Sequence, residues 1–276
     1  MSAVLSLLSS LMWGTADFLG GAVSRRLPAL AVYGISQVVG FALLVTLATA
    51  TGSWGTAPGY WPWAIGASVL GLIGMVAFYT ALSIGPMGIV SPLVSVSVVI
   101  PVAVGLIGGE LPTSLQILGI LLATMGILLA SGPELSGAES AKPLVLAGAA
   151  LLAFGGMFVF MAKGSEVSAL MTMTGMRVTS VVMYIPILLW ARSFGGARPR
   201  DLVPLGAIGV LDAGANVLFG VATTIGLLAT TAVLGSLYPV VTAVLAAILL
   251  RERLRPVQYA GVAVALGGVL LISTGA

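Results

Sequence analysis

The chain has 276 residues, of which 59% are hydrophobic and 7% charged, with a mean hydropathy of +1.18 and a formal net charge of +3. A soluble domain carries about 25% charged residues, so this composition excludes water as the main solvent and leaves the lipid bilayer. With no Cys and no His, disulfides, zinc sites and histidine catalysis are excluded, and a small charge spread over loops lacks the clustered basic face that nucleic acid requires.

A membrane helix needs about 20 apolar residues, and ten such stretches follow one another. The first five run from Ala3 to Ala22, Ala29 to Ala50, Trp61 to Ile84, Ile89 to Gly108 and Thr113 to Ser131. The second five run from Leu144 to Met161, Ala169 to Trp190, Val203 to Ile225, Ala229 to Leu250 and Gln258 to Thr274. They are apolar all round and longer than the alternating ten-residue strands of a barrel. The expected fold is therefore an all-α integral membrane protein of ten transmembrane helices. No basic n-region precedes Ala3, so the first helix reads as retained rather than cleaved. Trp54, Trp61 and Trp63 at a helix end read as interface anchors.

The chain repeats itself. A shift of 142 residues places Glu110 on Glu252, Gln116 on Gln258, Gly119 on Gly261 and Gly126 on Gly268; a shift of 141 places Gly14 on Gly155. Residues 1–131 and 144–276 are thus two five-helix units joined by a polar linker, 132–143. Five is odd, so the second unit enters the membrane from the opposite side. Such inverted repeats characterise secondary transporters, with a site near the midplane where the halves meet.

The order of these signals is specific. Leu11-Met12-Trp13-Gly14 opens the first half. Tyr238-Pro239 precedes Glu252-Arg253-Leu254, Gln258, Gly261 and Gly268 in the second, and Glu110-Leu111, Gln116, Gly119 and Gly126 echo them in the first. The whole chain resembles the EamA-type members of the drug/metabolite transporter superfamily. The resemblance implies a ten-helix exporter or exchanger of small metabolites, amino acids included, in the cell (inner) membrane. Glu110 and Glu252 read as gate contacts or as caps on the next helix, where a carboxylate meets the positive dipole end. Gly119 with Ala123, and Gly261 with Ala265, are small residues four apart that permit close helix contact, between the halves of a monomer or between two protomers of a homodimer.

Ionisable groups at bilayer depth are functional candidates by default. Asp17, Arg177 and Asp212 stand out. Asp212, Asn216 and Phe219 share one helix face by their i, i+4, i+7 spacing, and Trp13 and Asp17 form a similar i, i+4 pair. Asp17 and Asp212 are the proton-coupling candidates, because a carboxylic acid in low dielectric holds its proton more readily than in water. Arg177 either binds a substrate carboxylate through its planar fork or pairs permanently with one of the two aspartates, leaving the other free. Gln37, Tyr79, Ser91, Ser95 and Tyr238 complete the candidate cavity lining.

Nine of the eleven Lys and Arg fall after helices one, five, seven and nine: Arg25, Arg26, Lys142, Arg192, Arg198, Arg200, Arg251, Arg253 and Arg255. The positive-inside rule then places both termini outside, whereas the resemblance implies the cytoplasmic side. The expected function is a secondary transporter that takes a small-molecule substrate, and protons as co-substrate, across the bilayer. An uncoupled facilitator or channel is the alternative. An intramembrane lipid-modifying enzyme would need clustered acids, His, Cys or metal; neither a catalytic nor a metal-ligating constellation is present, and no cofactor is implied. No G-x-x-x-x-G-K-[ST] motif occurs, so the chain does not use ATP itself.

Overall fold

The computed structural model describes residues 1–24, 26–84, 90, 93–130, 141–191, 196–249 and 255–275. Among them every regular element is helical. Helices α1 (Ser2–Ser24), α2 (Ala29–Ala50), α3 (Trp61–Ile84), α4 (Leu93–Ile107) and α5 (Ser114–Ala130) form the first half. The stretch Ala141–Ala191 is broken at Ser168, whose backbone is extended (φ −166°, ψ 115°), into α6 (residues 141–167) and α7 (residues 169–191). Helices α8 (Leu202–Ile225), α9 (Leu228–Leu249) and α10 (Pro256–Thr274) complete the second half. Among the described residues seven segments are long and apolar enough to cross a bilayer, the broken stretch counting as one, and α4 and α5 are shorter apolar helices. Proline accounts for two irregularities, since it lacks an N–H and disfavours the helical conformation before it. A 3₁₀ turn at Val96–Val98 precedes Pro101 in α4, and α9 is interrupted just before Tyr238-Pro239.

The contacts at the helix ends fix which termini lie together. Gly226 abuts Ser2, the Glu110 carboxylate reaches Leu228 and Ala229, and Thr113 meets Gly275. This is the terminal end of the bundle. At the other end Arg26 pairs with Asp201 at 2.8 Å, and the Gln258 amide donates to the Ala130 carbonyl at 3.2 Å. That end holds the arginine-bearing turns.

Much of the repeat is explained by two structural jobs. Gln116 and Gln258 each accept a hydrogen bond from the backbone N–H three residues earlier, Thr113 at 2.8 Å and Arg255 at 2.9 Å. Both cap a helix start; the first is reciprocal, the Gln116 N–H donating to Thr113 Oγ1 at 3.3 Å, whereas the Gln258 N–H donates to the Arg255 carbonyl. Gly119, Ala123 and Gly126 on α5 face Gly261, Ala265 and Gly268 on α10. A Cβ placed on Gly119 would lie 2.8 Å from the Gly268 carbonyl oxygen, and one on Gly268 2.7 Å from that of Gly119. The small residues therefore close a backbone-to-backbone seam between the two halves of one chain.

Gly14 and Gly155 do the second job. Gly14 on α1 presses on Val241 and the Tyr238 carbonyl of α9; Gly155 on α6 presses on Ile100 and the Ser97 carbonyl of α4. The same 141-residue shift relates all of these positions. Helix α1 also packs along α8, and α6 along α3. The opening helix of each half thus docks into the other half.

Glu110 departs from expectation. Its carboxylate accepts from the N–H groups of Leu228 and Ala229 (2.9 Å to the latter), capping α9 of the other half and not the next helix, α5. Two orphan donors at a helix start explain the choice. Glu252 lies outside the described residues. Replacing Glu110 by Ala is expected to lower stability by about 1–2 kcal/mol, the upper range for a lost N-cap, read as the denaturation midpoint in detergent; Glu110→Gln, which keeps an acceptor oxygen, should recover part of it. Of the three tryptophans expected at an interface, Trp54 is exposed, while Trp61 stacks on Tyr60 and Trp63 meets Phe160 edge-on.

Candidate functional site

Three ionisable groups meet in the middle of the bundle. Arg177 on α7, 2% exposed, donates through Nη1 to the Gln37 side-chain oxygen on α2 and through Nη2 to Oδ2 of Asp212 on α8. Both outer nitrogens of the guanidinium are therefore committed. Tyr33 lies beside Ser180 and within electrostatic reach of Arg177 and Asp212. Ser180 in turn bonds Ser68 of α3 at 2.9 Å. This network joins α2, α3, α7 and α8. A guanidinium at this depth is made tolerable by its pairing with a carboxylate and an amide oxygen.

Asp17 is placed differently. It lies within electrostatic reach of Asp212 but makes no hydrogen bond or ion pair with any described residue, and its side chain is exposed. The face of α1 that carries it changes character along its length. Ser6, Ser9, Ser10 and Trp13 are buried; Asp17, Gly21 and Ser24 are exposed. Trp13 is buried in a cluster drawn from both halves, and from Asp17 towards the arginine end the same face is exposed.

The exposed stretch ends at an aromatic cluster that forms the floor beneath Asp17. Trp13 meets Phe158 of α6 edge-on at 5.7 Å, Phe219 of α8 at 5.6 Å and Tyr238 of α9 edge-on at 6.3 Å; Phe158 and Phe219 are 5.2 Å apart. Four helices from both halves supply these rings. Gly235 lets α9 approach, since a Cβ there would sit 3.1 Å from the Phe219 ring. Met161, Met173 and Met176 pack around the cluster, and thioethers favour aromatic edges.

On the far side of these rings the bundle buries polar groups, and at the terminal end it holds a cavity of about 550 Å³ lined by Ser2, Gln116, Thr230 and Leu234. Besides the serines of α1, Thr230, Thr231 and Ser236 of α9 are buried, and the hydroxyls of Thr231 and Ser236 have no partner among the described residues. A buried orphan hydroxyl costs on the order of 1–3 kcal/mol. Purely structural packing would favour Ala or Val at these positions.

A model of the EamA-like transporter family matches the chain twice, over residues 1–132 and 141–274. The chain belongs to the EamA-like transporter family. It is accordingly a multi-pass membrane protein with the two-repeat architecture of that family. No curated protein matches it. A solved structure titled "Crystal structure of protein" has the same fold at 15% identity, with a TM-score of 0.81 over 99% of this chain and 96% of the other.

In this EamA-like chain the residues singled out from sequence fall into three places. Arg177, Asp212 and Gln37 form one network; Asn216 is buried on α8 between Asp212 and Phe219; Trp13, Phe219 and Tyr238 form the floor under Asp17. Ser95 is half-buried on α4. The side chain of Tyr79, and Ser91, lie outside the described residues. Phe158 was not anticipated, although the 141-residue shift that pairs Gly14 with Gly155 also places Asp17 on Phe158. Tyr33 and the hydroxyls of α1 and α9 were also missed; the serine spacing on α1 was their signal.

Proposed function

We propose that this EamA-like protein is a secondary transporter that exports a small metabolite, amino-acid-like or otherwise amphipathic, across the cell (inner) membrane by alternating access. Its two halves are inserted oppositely, five spans each, and Asp17 is the residue that exchanges protons. The observation that carries this reading is the asymmetry about Trp13. The α1 face is exposed from Asp17 to Ser24, whereas on the other side of Trp13 the polar groups of α1 and α9 are buried next to a cavity at the terminal end. A pore would be wet throughout. A structural bundle would have no reason to bury the Thr231 and Ser236 hydroxyls unpaired. A transporter hydrates them in its other state.

The native chain has no cysteine, so single cysteines report access directly. In proteoliposomes, Ser24→Cys is expected to react with an impermeant thiol reagent from the arginine end. Ser10→Cys should react at least tenfold more slowly, and from the terminal end. An imposed pH gradient that drives flux of radiolabelled metabolites should shift the two rates in opposite directions. Flux with Ser10→Cys never labelled would overturn alternating access, and simultaneous labelling of one molecule from both sides would establish a channel.

A further inference from the structure

We propose that the corner where the α1–α2 turn meets the segment before α8 binds the phosphate of an anionic phospholipid in the cytoplasmic leaflet, so that the arginine end of the bundle faces the cytoplasm. This stands independently of the transport reading.

The corner is built from both halves. Residues 24–28 and 196–201 contain four arginines, Arg25, Arg26, Arg198 and Arg200, and a single acid, Asp201. Asp201 is 2% exposed, and its carboxylate is already taken: it pairs with Arg26 at 2.8 Å and accepts the Arg198 backbone N–H at 2.9 Å. Guanidinium charge is therefore in excess at the corner. Arg26, Arg198 and Arg200 are exposed, and Arg25 lies outside the described residues.

Packing fixes the ground from which these side chains rise. Val23 and Leu27 are buried in one cluster with Leu205 and Ile208 of α8, and Ala197 packs against it. The two segments cannot drift apart without opening that cluster. A long arginine stem extends from the end of a membrane helix to headgroup depth, and the guanidinium fork matches two phosphate oxygens.

The charge distribution selects the leaflet. Nine Lys and Arg, with the acids Glu134, Glu139, Asp201 and Glu252, fall in the stretches that join helices at this end. The other end has Lys163, paired with Glu166 at 2.8 Å, and Glu110 in its cap on α9. Short loops rich in Lys and Arg stay in the cytoplasm, and acids weigh little in that choice. The negative surface potential of the cytoplasmic leaflet attracts the same groups. This sidedness is the reverse of the one the family resemblance implies. It also puts the exposed stretch of α1 from Asp17 to Ser24 on the cytoplasmic side.

Binding is tested on the full-length protein in neutral detergent, titrated with short-chain phosphatidylglycerol, short-chain phosphatidylcholine or inorganic phosphate and read as the shift in unfolding temperature. Phosphatidylglycerol is expected to bind more tightly than phosphatidylcholine by about tenfold. Arg198→Gln/Arg200→Gln, which spares the Arg26–Asp201 pair, should lose most of that preference, and Arg198→Lys/Arg200→Lys should keep part of it. Equal binding of the two lipids, a preference unchanged in the Gln variant, or a shift with inorganic phosphate as large as that with phosphatidylglycerol would overturn the proposal. Sidedness is read in spheroplasts with an impermeant thiol reagent, since the native chain has no cysteine. Ala57→Cys, exposed in the turn before α3, should label from outside, and Ala141→Cys, exposed at the start of α6, only after lysis. The reverse pattern would overturn the proposal whatever the lipid titration shows.

Discussion

Replacing Arg177 by Met is expected to destabilise the protein by about 3 kcal/mol, the low end for breaking a buried ion pair. The variant strands the Gln37 side-chain oxygen, 5% exposed at the residue level, and leaves Asp212 unpaired with its side chain 29% exposed. Water at that exposed part hydrates some of the stranded charge and keeps the penalty from being larger. The double variant Arg177→Met/Asp212→Leu removes both charges and is expected to regain most of the loss, since a buried pair exchanged for well-packed apolar groups is often neutral. Chemical denaturation in detergent measures both. If Arg177 instead served as a free anion receptor, the single variant would fold normally and Asp212→Leu alone would be harmless.

A valine at Gly126 or Gly268 is expected to be worse. A Cβ at Gly126 would overlap the backbone nitrogen and Cα of Ala265, and one at Gly268 would meet the backbone of Ala123. Overpacking a core costs about 1–3 kcal/mol when side chains can shift. Here the obstacle is main chain on the facing helix, so the whole seam must part and the cost should exceed that range. Close contact is also what drives association in lipid, where apolar area gains nothing. Gly267 supplies the control, because nothing lies within 4 Å of the Cβ it would acquire. Gly267→Val should purify and unfold as the parent does, whereas Gly268→Val should yield little monodisperse protein.

The sequence made some of this legible and hid the rest for physical reasons. Hydropathy found the helices because each stretch has to satisfy its own backbone in lipid. It also placed a boundary before Ala169, next to the observed break at Ser168. The doubled Gly119/Gly261 and Gly126/Gly268 marked a close approach, but spacing along one helix does not reveal the facing one. Glu110 shows the same limit: its chemistry as a cap was readable, its partner 118 residues away was not. In the site, i, i+4 spacing put Trp13 with Asp17 and Asp212 with Asn216. Which aspartate Arg177 holds depends on how α7 and α8 rotate against each other. Phe158 was invisible because an isolated Phe in an apolar helix carries no signal except through the repeat.

The exchanged docking of α1 and α6 bears on how the protein is made. While the ribosome is still producing the second half, α3 and α4 have been inserted without the helix that Gly155 brings to them, and α1 has been inserted without α8 and α9. The first half cannot finish folding when its own synthesis ends. Assembly has to wait for the last helix, which closes on α5, and until the second half arrives the carboxylate of Glu110 and the polar face of α1 lack the partners they have in the finished fold. A chain truncated after residue 131 would therefore be a substrate for membrane proteolysis, and co-expression of residues 141–276 would rescue it.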